Sequence, residues 1–291
     1  MCGIAGKVYF QASKVIEDDL VKMCNKIIHR GPDDFGYFIS TDKQVGLGNR
    51  RLAIIDLSSR GHQPMVYKNR FVITTNGEIY NYKEEKEKLE KLGYKFKSDC
   101  DTEVILALFD KYGEKCLDHL RGMFAFAIYD KVKKTLFLAR DRIGKKPLKY
   151  YFSNGVFIFA SEIKAILTQK ETPKHPDYGA IGKYLNYGYI PSPLTGFQEI
   201  KKLPPGHFLK IDLTKKSFVI KKYWEPKFDK KLVLSEDQWS KKITETLTQS
   251  VSLRLMSDVP LGVFLSGGVD SGAVVATMAT LSKKPIKTFT V

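Results

Sequence analysis

Apolar residues along this chain gather in short runs of β-branched and aromatic side chains more often than in a three-to-four-residue rhythm. Residues 71–75, 124–129, 135–139 and 156–160 are such runs, and they predict strands. Helical spacing recurs at 16–28, 82–92, 101–112 and 161–167, with Asp101 placed as an N-cap and Glu103 in the first turn that follows. Strands predominate without a regular strand–helix–strand beat, so the first two hundred residues predict an α+β fold of antiparallel sheets.

Further along, Pro191, Pro193, Pro204, Pro205 and Pro226 cut the chain into short segments, a composition that predicts a connector. A helix is predicted over 236–256, then an apolar strand over 261–265, a glycine-rich turn, a helix ending near Leu281 and a second strand over 286–291. That order opens a parallel α/β unit. The expected organisation is a first domain over 1–200, a connector over 201–235 and an incomplete second domain over 236–291, which stops at its second strand.

With 291 residues and 43% hydrophobic content the chain can bury a sizeable core. No run approaches the roughly 18 apolar residues of a membrane span, and no basic stretch followed by an apolar one opens the chain, so a cytoplasmic protein with no membrane partner is expected. Cys2, Cys24, Cys100 and Cys116 form no C-x-x-C pair, which argues for reduced thiols over a zinc site or a disulfide framework. The formal charge of +16 raises the question of nucleic acid. The excess is lysine, 39 Lys against 9 Arg, in solvated runs such as 83–97 and 221–231, without the arginine forks and interleaved aromatics of a base reader. No nucleic-acid partner is expected.

The chain's second residue carries the sharpest chemical signal. If the initiator Met is trimmed, Cys2 presents a thiol and a free α-amine on one residue, so a nucleophile and its base arrive together and no histidine is needed. Position alone also admits an incidental cysteine. None of the other three cysteines sits in a nucleophile elbow. Near the far end, Leu265-Ser266-Gly267-Gly268-Val269-Asp270-Ser271 lies between a predicted strand and helix. Its glycines can turn backbone amides inward as an anion nest, its serines add hydroxyls, and Asp270 is placed to help a Mg²⁺ ion. It lacks the lysine of a Walker A loop. Asn76-Gly77 reads locally as a hairpin turn, or else as an amide and a backbone N–H able to hold an oxyanion. Arg51 and Asp101 read as a surface charge and a helix cap, or together as a clamp for the two charges of a free amino acid.

Cys2-Gly3-Ile4-Ala5-Gly6, His29-Arg30-Gly31-Pro32-Asp33, Arg51 to Asp56, Asn76-Gly77-Glu78-Ile79-Tyr80-Asn81, Asp101-Thr102-Glu103, Arg140 to Leu148, Ala160 to Lys164, Leu203 to His207 and Ser266 to Ser271 occur in that order. Together they closely resemble the glutamine-hydrolysing asparagine synthetases, over essentially the whole chain. The resemblance implies an N-terminal-nucleophile (Ntn) hydrolase, an αββα sandwich of antiparallel sheets, followed by the start of an ATP pyrophosphatase domain with a parallel sheet. It implies Cys2 as nucleophile, Asn76 and Gly77 as the oxyanion hole, and Glu78 as an aid to substrate binding. Arg51 would take the glutamine α-carboxylate and Asp101 its α-amine, with Ile54 and Ile55 lining the pocket. Ser266, Gly267, Gly268, Val269, Asp270 and Ser271 would grip ATP-Mg²⁺, with Leu265 and Val291 against the adenosine. ATP and Mg²⁺ enter as co-substrate and no prosthetic group is implied. Ammonia would pass through a tunnel to β-aspartyl-AMP, giving asparagine, AMP, pyrophosphate and glutamate, and a homodimer is one form the protein could take. This chain departs from the pattern at Asn49, Lys149 and Gly272, and it stops short of most of the family's aspartate site, so only the glutaminase step is expected of it. Relatives amidating other acceptors share these motifs, and a stand-alone glutaminase serving a partner is the alternative.

Overall fold

In the computed structural model, which describes residues 1–229 and 231–290, the apolar runs and the segments between them become two six-stranded antiparallel sheets. In chain order their strands are β1 (Gly3–Tyr9), β2 (Asp34–Ile39), β3 (Val45–Arg51), β4 (Met65–Tyr67), β5 (Phe71–Ile79), β6 (Gly122–Asp130), β7 (Thr135–Arg140), β8 (Lys149–Ser153), β9 (Val156–Ala160), β10 (Ile200–Lys202), β11 (His207–Asp212) and β12 (Ser217–Lys222). One sheet runs β10-β8-β9-β1-β3-β2 and the other β12-β11-β7-β6-β5-β4.

Side chains alternate across each strand, so each sheet has an inner and an outer face. On the inner faces Ile4, Val8, Val45, Leu47 and Phe159 pack in one core with Val72, Ala127, Tyr129, Leu136 and Leu138. Each fully buried Val, Leu, Ile or Phe among them contributes about 1.5–3 kcal/mol. On the outer face of the first sheet, Ala5 and Tyr9 meet Leu20, Met23 and Cys24 of helix α1 (Glu17–Asn25), together with Ile27. Helices α2 (Tyr82–Lys91) and α3 (Asp101–Tyr112) pack together, and α3 covers the second sheet, where the ring of Phe109 stands edge-on to Phe71 at 5.6 Å. The layers are α, β, β, α, as the resemblance implies.

Three local expectations are corrected. Asn76-Gly77 is not a hairpin turn: both residues lie within β5, paired with Ala125 and Phe124 of β6. The N-cap of α3 is Cys100, and Asp101 is the first helical residue, its carboxylate accepting from the Ile79 N–H of β5 at 2.8 Å. The stretch from Ile200 to Lys222 is no simple connector, because β10 joins the first sheet while β11 and β12 extend the second. Three further short helices follow α3: α4 (Cys116–His119), α5 (Ile163–Ile166) and α6 (Tyr178–Tyr187), of which only α5 was foreseen in the sequence.

The chain divides into Met1–Glu225 and Pro226–Val291. The second unit holds α7 (Glu236–Ser252), opened by a Ser235–Gln238 capping box, then β13 (Gly262–Phe264), α8 (Val269–Leu281) and β14 (Lys287–Phe289). The two strands pair in parallel, Gly262 opposite Lys287, as the strand–turn–helix–strand order predicts. No helix among the described residues is long and apolar enough to cross a membrane.

Candidate active site

Strand β1, an interior strand of the first sheet, begins directly after Cys2, so that sheet carries Cys2 at the head of one of its strands. The Cys2 Sγ lies 3.4 Å from the Leu52 N–H, which donates to it, and 3.7 Å from the Leu52 carbonyl. Burial pushes the Cys2 thiol up; the Leu52 backbone, the N-terminal charge and Arg51 pull the other way. The α-amine of Met1 is lowered, chiefly by burial. Arg30 holds the Cys2 carbonyl through Nε at 3.0 Å and Glu162 through Nη1 at 2.8 Å.

A cleft beside Cys2 is lined by Arg51, Leu52, Ile54, Ile55, Gln63, Thr75, Gly77, Glu78, Cys100, Asp101 and Thr102. It brings together most of the residues singled out for a glutamine site. Arg51, at the end of β3, is 6% exposed, yet its guanidinium donates only to the carbonyls of Ile55 at 3.1 Å, Asp56 at 2.5 Å and Ser58 at 3.3 Å. No carboxylate pairs with it among the described residues. A Cβ on Gly61 would stand 2.0 Å from Arg51 Nη2, so glycine is what lets this loop close on the guanidinium. On the far wall, Asp101 takes the Ile79 N–H at 2.8 Å. Glu78 and Asp101 are both raised above the ordinary carboxylate range, first by burial; for Glu78 the neighbouring Asp101 charge adds to this. Lys146 and the N-terminus act on Glu78, and Arg51 on Asp101, across the cleft without an ion pair among the described residues. A guanidinium on one wall and two carboxylates on the other are complementary to the two charges of an α-amino acid.

Asn76 is 0% exposed, and neither its Nδ2 nor its Oδ1 meets a hydrogen-bond partner among the described residues. It shares a face of β5 with Thr74, whose hydroxyl bonds the Gly48 carbonyl of β3 at 3.0 Å, so the amide lies on the side toward the first sheet. A buried, unbonded amide costs about 1–3 kcal/mol, which a fold retains where the group has another use. Gly77 follows because its backbone is pressed against β6: a Cβ there would meet the Met123 carbonyl at 2.4 Å.

Several lining residues were not foreseen. Gln63, 4% exposed, accepts from the Thr75 N–H at 2.7 Å and from Asn49 Nδ2 at 3.1 Å, and donates to Thr102 Oγ1 at 3.4 Å. It forms the polar underside of the cleft. No local spacing announces it, since its partners lie 12 to 39 residues away. Asn49, one of the departures, is thereby absorbed into the same network.

In the second unit Gly267 takes φ +77°, and Ser266 and Ser271 meet through their hydroxyls at 3.0 Å. Ser271 Oγ also accepts from the Ser266 N–H at 3.2 Å and donates to the Gly268 carbonyl at 3.1 Å. Leu265 ties the loop to β14 through the Phe289 carbonyl, while Val269 and Asp270 open α8. Val291, expected against an adenosine, lies outside the described residues.

Comparison with known proteins bears on both units. A glutamine amidotransferase domain model matches residues 1–224, and an asparagine synthase model matches 242–291. The chain is 42% identical, over 96% of its length and 57% of the relative's, to a Methanocaldococcus jannaschii protein named provisionally as asparagine synthetase [glutamine-hydrolyzing] 2. It is 40% identical to asparagine synthetase [glutamine-hydrolyzing] 1 of Bacillus subtilis, over 100% of this chain and 46% of that one. The chain thus spans about half the length of the curated relatives it matches. Among solved structures, the glutamine phosphoribosylpyrophosphate amidotransferase of B. subtilis superimposes with a TM-score of 0.56 at 16% identity, covering 99% of this chain and 65% of that one, a likeness of fold. Two antiparallel sheets between helices, a cysteine at the head of the inner strand and a family match across the first 224 residues lead to one conclusion: the chain belongs to the glutamine amidotransferase family.

Proposed function

We propose that Met1–Glu225 hydrolyses glutamine and that its nitrogen is destined for an ATP-activated carboxylate, with aspartate the acceptor that the second unit's family favours. The observation that carries the first half is the buried, unpartnered amide of Asn76 in a strand whose neighbouring residues line the Cys2 cleft. Arg51 takes the glutamine α-carboxylate, and Asp101 with Glu78 takes its α-ammonium. The α-amine of trimmed Cys2 accepts the Sγ proton as sulfur attacks the carboxamide carbon. The carbonyl electrons move onto oxygen, where Asn76 Nδ2 and the Gly77 N–H hold them. As the intermediate collapses, the C–N bond breaks and nitrogen leaves with that proton as ammonia. Water then attacks the thioester, releasing glutamate and restoring the thiol. For the acceptor half, the Ser266–Ser271 loop supports binding of a nucleotide's phosphates, which would exchange for the contact between the two hydroxyls. Among the described residues no group of three or more His, Cys, Asp and Glu side chains could hold a metal, so Mg²⁺ fits here as an ion carried on the nucleotide, with Asp270 beside it.

The test is chemical. The purified chain, with Met1 shown by mass to be absent, is treated with 6-diazo-5-oxonorleucine and digested. Label on Cys2 with loss of glutamate production is the expected result; label on Cys24, Cys100 or Cys116 refutes the assignment. With glutamine, aspartate and ATP-Mg²⁺ supplied together, glutamate, asparagine and pyrophosphate followed separately distinguish hydrolysis from coupled synthesis.

A further inference from the structure

Lys146 is a charged side chain that the proposed chemistry leaves unused, yet it is 3% exposed. Its ammonium donates to Met1 Sδ at 2.9 Å, so it lies against the N-terminal residue. Its backbone is held from both sides. The Lys146 N–H donates to Asp141 Oδ2 at 2.9 Å, and its carbonyl accepts from Arg140 Nε at 2.8 Å. Arg140 also holds the Gly144 and Leu203 carbonyls at 2.7 Å, while Asp141 takes the Lys145 N–H at 2.8 Å. Gly144 turns the loop with φ +70°. Arg140 and Asp141, adjacent in sequence, thereby brace a turn whose product is one buried lysine against the residue that precedes Cys2, where trimming of Met1 would leave the new α-amine.

We propose that Lys146 is a positioning residue of the glutaminase: its buried ammonium keeps the Cys2 α-amine neutral, and so able to accept a proton, while favouring the thiolate. This rests on the reading of Cys2 as nucleophile. A second cation next to an ammonium is unfavourable, and a cation next to a thiolate is favourable. In the transfer of a proton from Sγ to the amine the two effects oppose each other, so Lys146 acts on the pH at which the pair is ready. The charged groups around it are Glu78 from β5, Arg30 from the 28–30 turn, Lys145 from its own loop, and Cys2 with the N-terminus. Arg51 from β3 also acts on the Cys2 thiol. Lys146 is itself lowered, first by burial, and the charges at Glu78 and Cys2 work against that.

The full chain is released with Cys2 first by cleavage of an N-terminal tag, as the native protein and as Lys146→Met and Lys146→Arg. Alkylation of Cys2 by iodoacetamide is followed against pH by peptide mass, and glutamate production is followed over the same range. In Lys146→Met both acidic limbs should move up by about one unit, a roughly tenfold loss at pH 7 that closes at alkaline pH. Lys146→Arg should stay near the native profile, and thermal melts report folding of all three. Superimposable alkylation profiles for the native protein and Lys146→Met overturn the proposal, as does Lys146→Arg behaving like Lys146→Met. Native protein that shows the alkylation shift on Lys146 substitution but makes no glutamate leaves Lys146 in place and removes the glutaminase reading.

Discussion

Asn76→Ala separates function from stability, because the buried amide satisfies nothing in the resting fold. As an oxyanion donor its removal should lower kcat by about 10²–10³, or about 2.7–4 kcal/mol, with KM for glutamine little changed. Deleting an unpaired buried amide removes a desolvation penalty of about 1–3 kcal/mol. Against that stands a cavity of about 30 Å³, which costs about 0.7 kcal/mol. The balance favours the variant by about 0.3–2.3 kcal/mol, which for a unit of this size raises Tm by about 1–9 °C. The assay pairs steady-state glutamate release with thermal unfolding on the same preparations. A variant that loses activity because it melts lower would show that Asn76 holds β5 in place, and unchanged kcat would remove it from the chemistry.

Arg51→Ala should act mainly on KM, raising it by about 10- to 150-fold for the loss of a charge-assisted pair worth about 1.5–3 kcal/mol; an effect confined to kcat would contradict the clamp. Gly77→Ala places a Cβ 2.4 Å from the Met123 carbonyl and 2.8 Å from Phe124 Cα, both backbone atoms of β6, so lower Tm and lost activity are expected together; a stable, active variant would show that β6 can yield. Glu78 and Asp101 are raised by burial, so the empty site retains a proton above the ordinary carboxylate range. The glutamine α-ammonium favours their ionised forms and displaces that proton. Binding should therefore release protons near neutrality and weaken as pH falls, which calorimetry in buffers of different ionisation enthalpy would detect as a buffer-dependent heat; heats independent of buffer would refute it.

The strands at 124–129, 135–139 and 156–160 were legible because buried β-structure concentrates aromatic and β-branched side chains, and the structure places strands over each. Asn76-Gly77 was not decidable locally: the same dipeptide suits a tight turn or a strand interior, and what settles it is β6, more than forty residues on. The Ile200–Lys222 strands were hidden by Pro204 and Pro205, and by the lysines of β12, an outer strand whose charges guard an open sheet edge. At the site, Cys2, Arg51, Glu78 and Asp101 stand out by residue type and ordered motif. Gln63, Thr75 and Thr102 are ordinary polar residues, and only the fold gathers them under the cleft.

The placement of Asn76-Gly77 inside β5 also bears on how the protein ages. Asparagine followed by glycine is prone to deamidation, because the next residue's backbone nitrogen can attack the side-chain carbonyl and close a succinimide ring. That ring needs a bent backbone. An extended strand paired with Ala125 and Phe124 withholds it, so the folded chain shelters a bond that the unfolded chain exposes. On the proposed reading, the product, aspartate at this position, would set a negative charge where negative charge would develop during attack on glutamine. Each episode of unfolding would then carry a chance of permanent inactivation, recorded as a gain of one dalton in the peptide that contains Asn76.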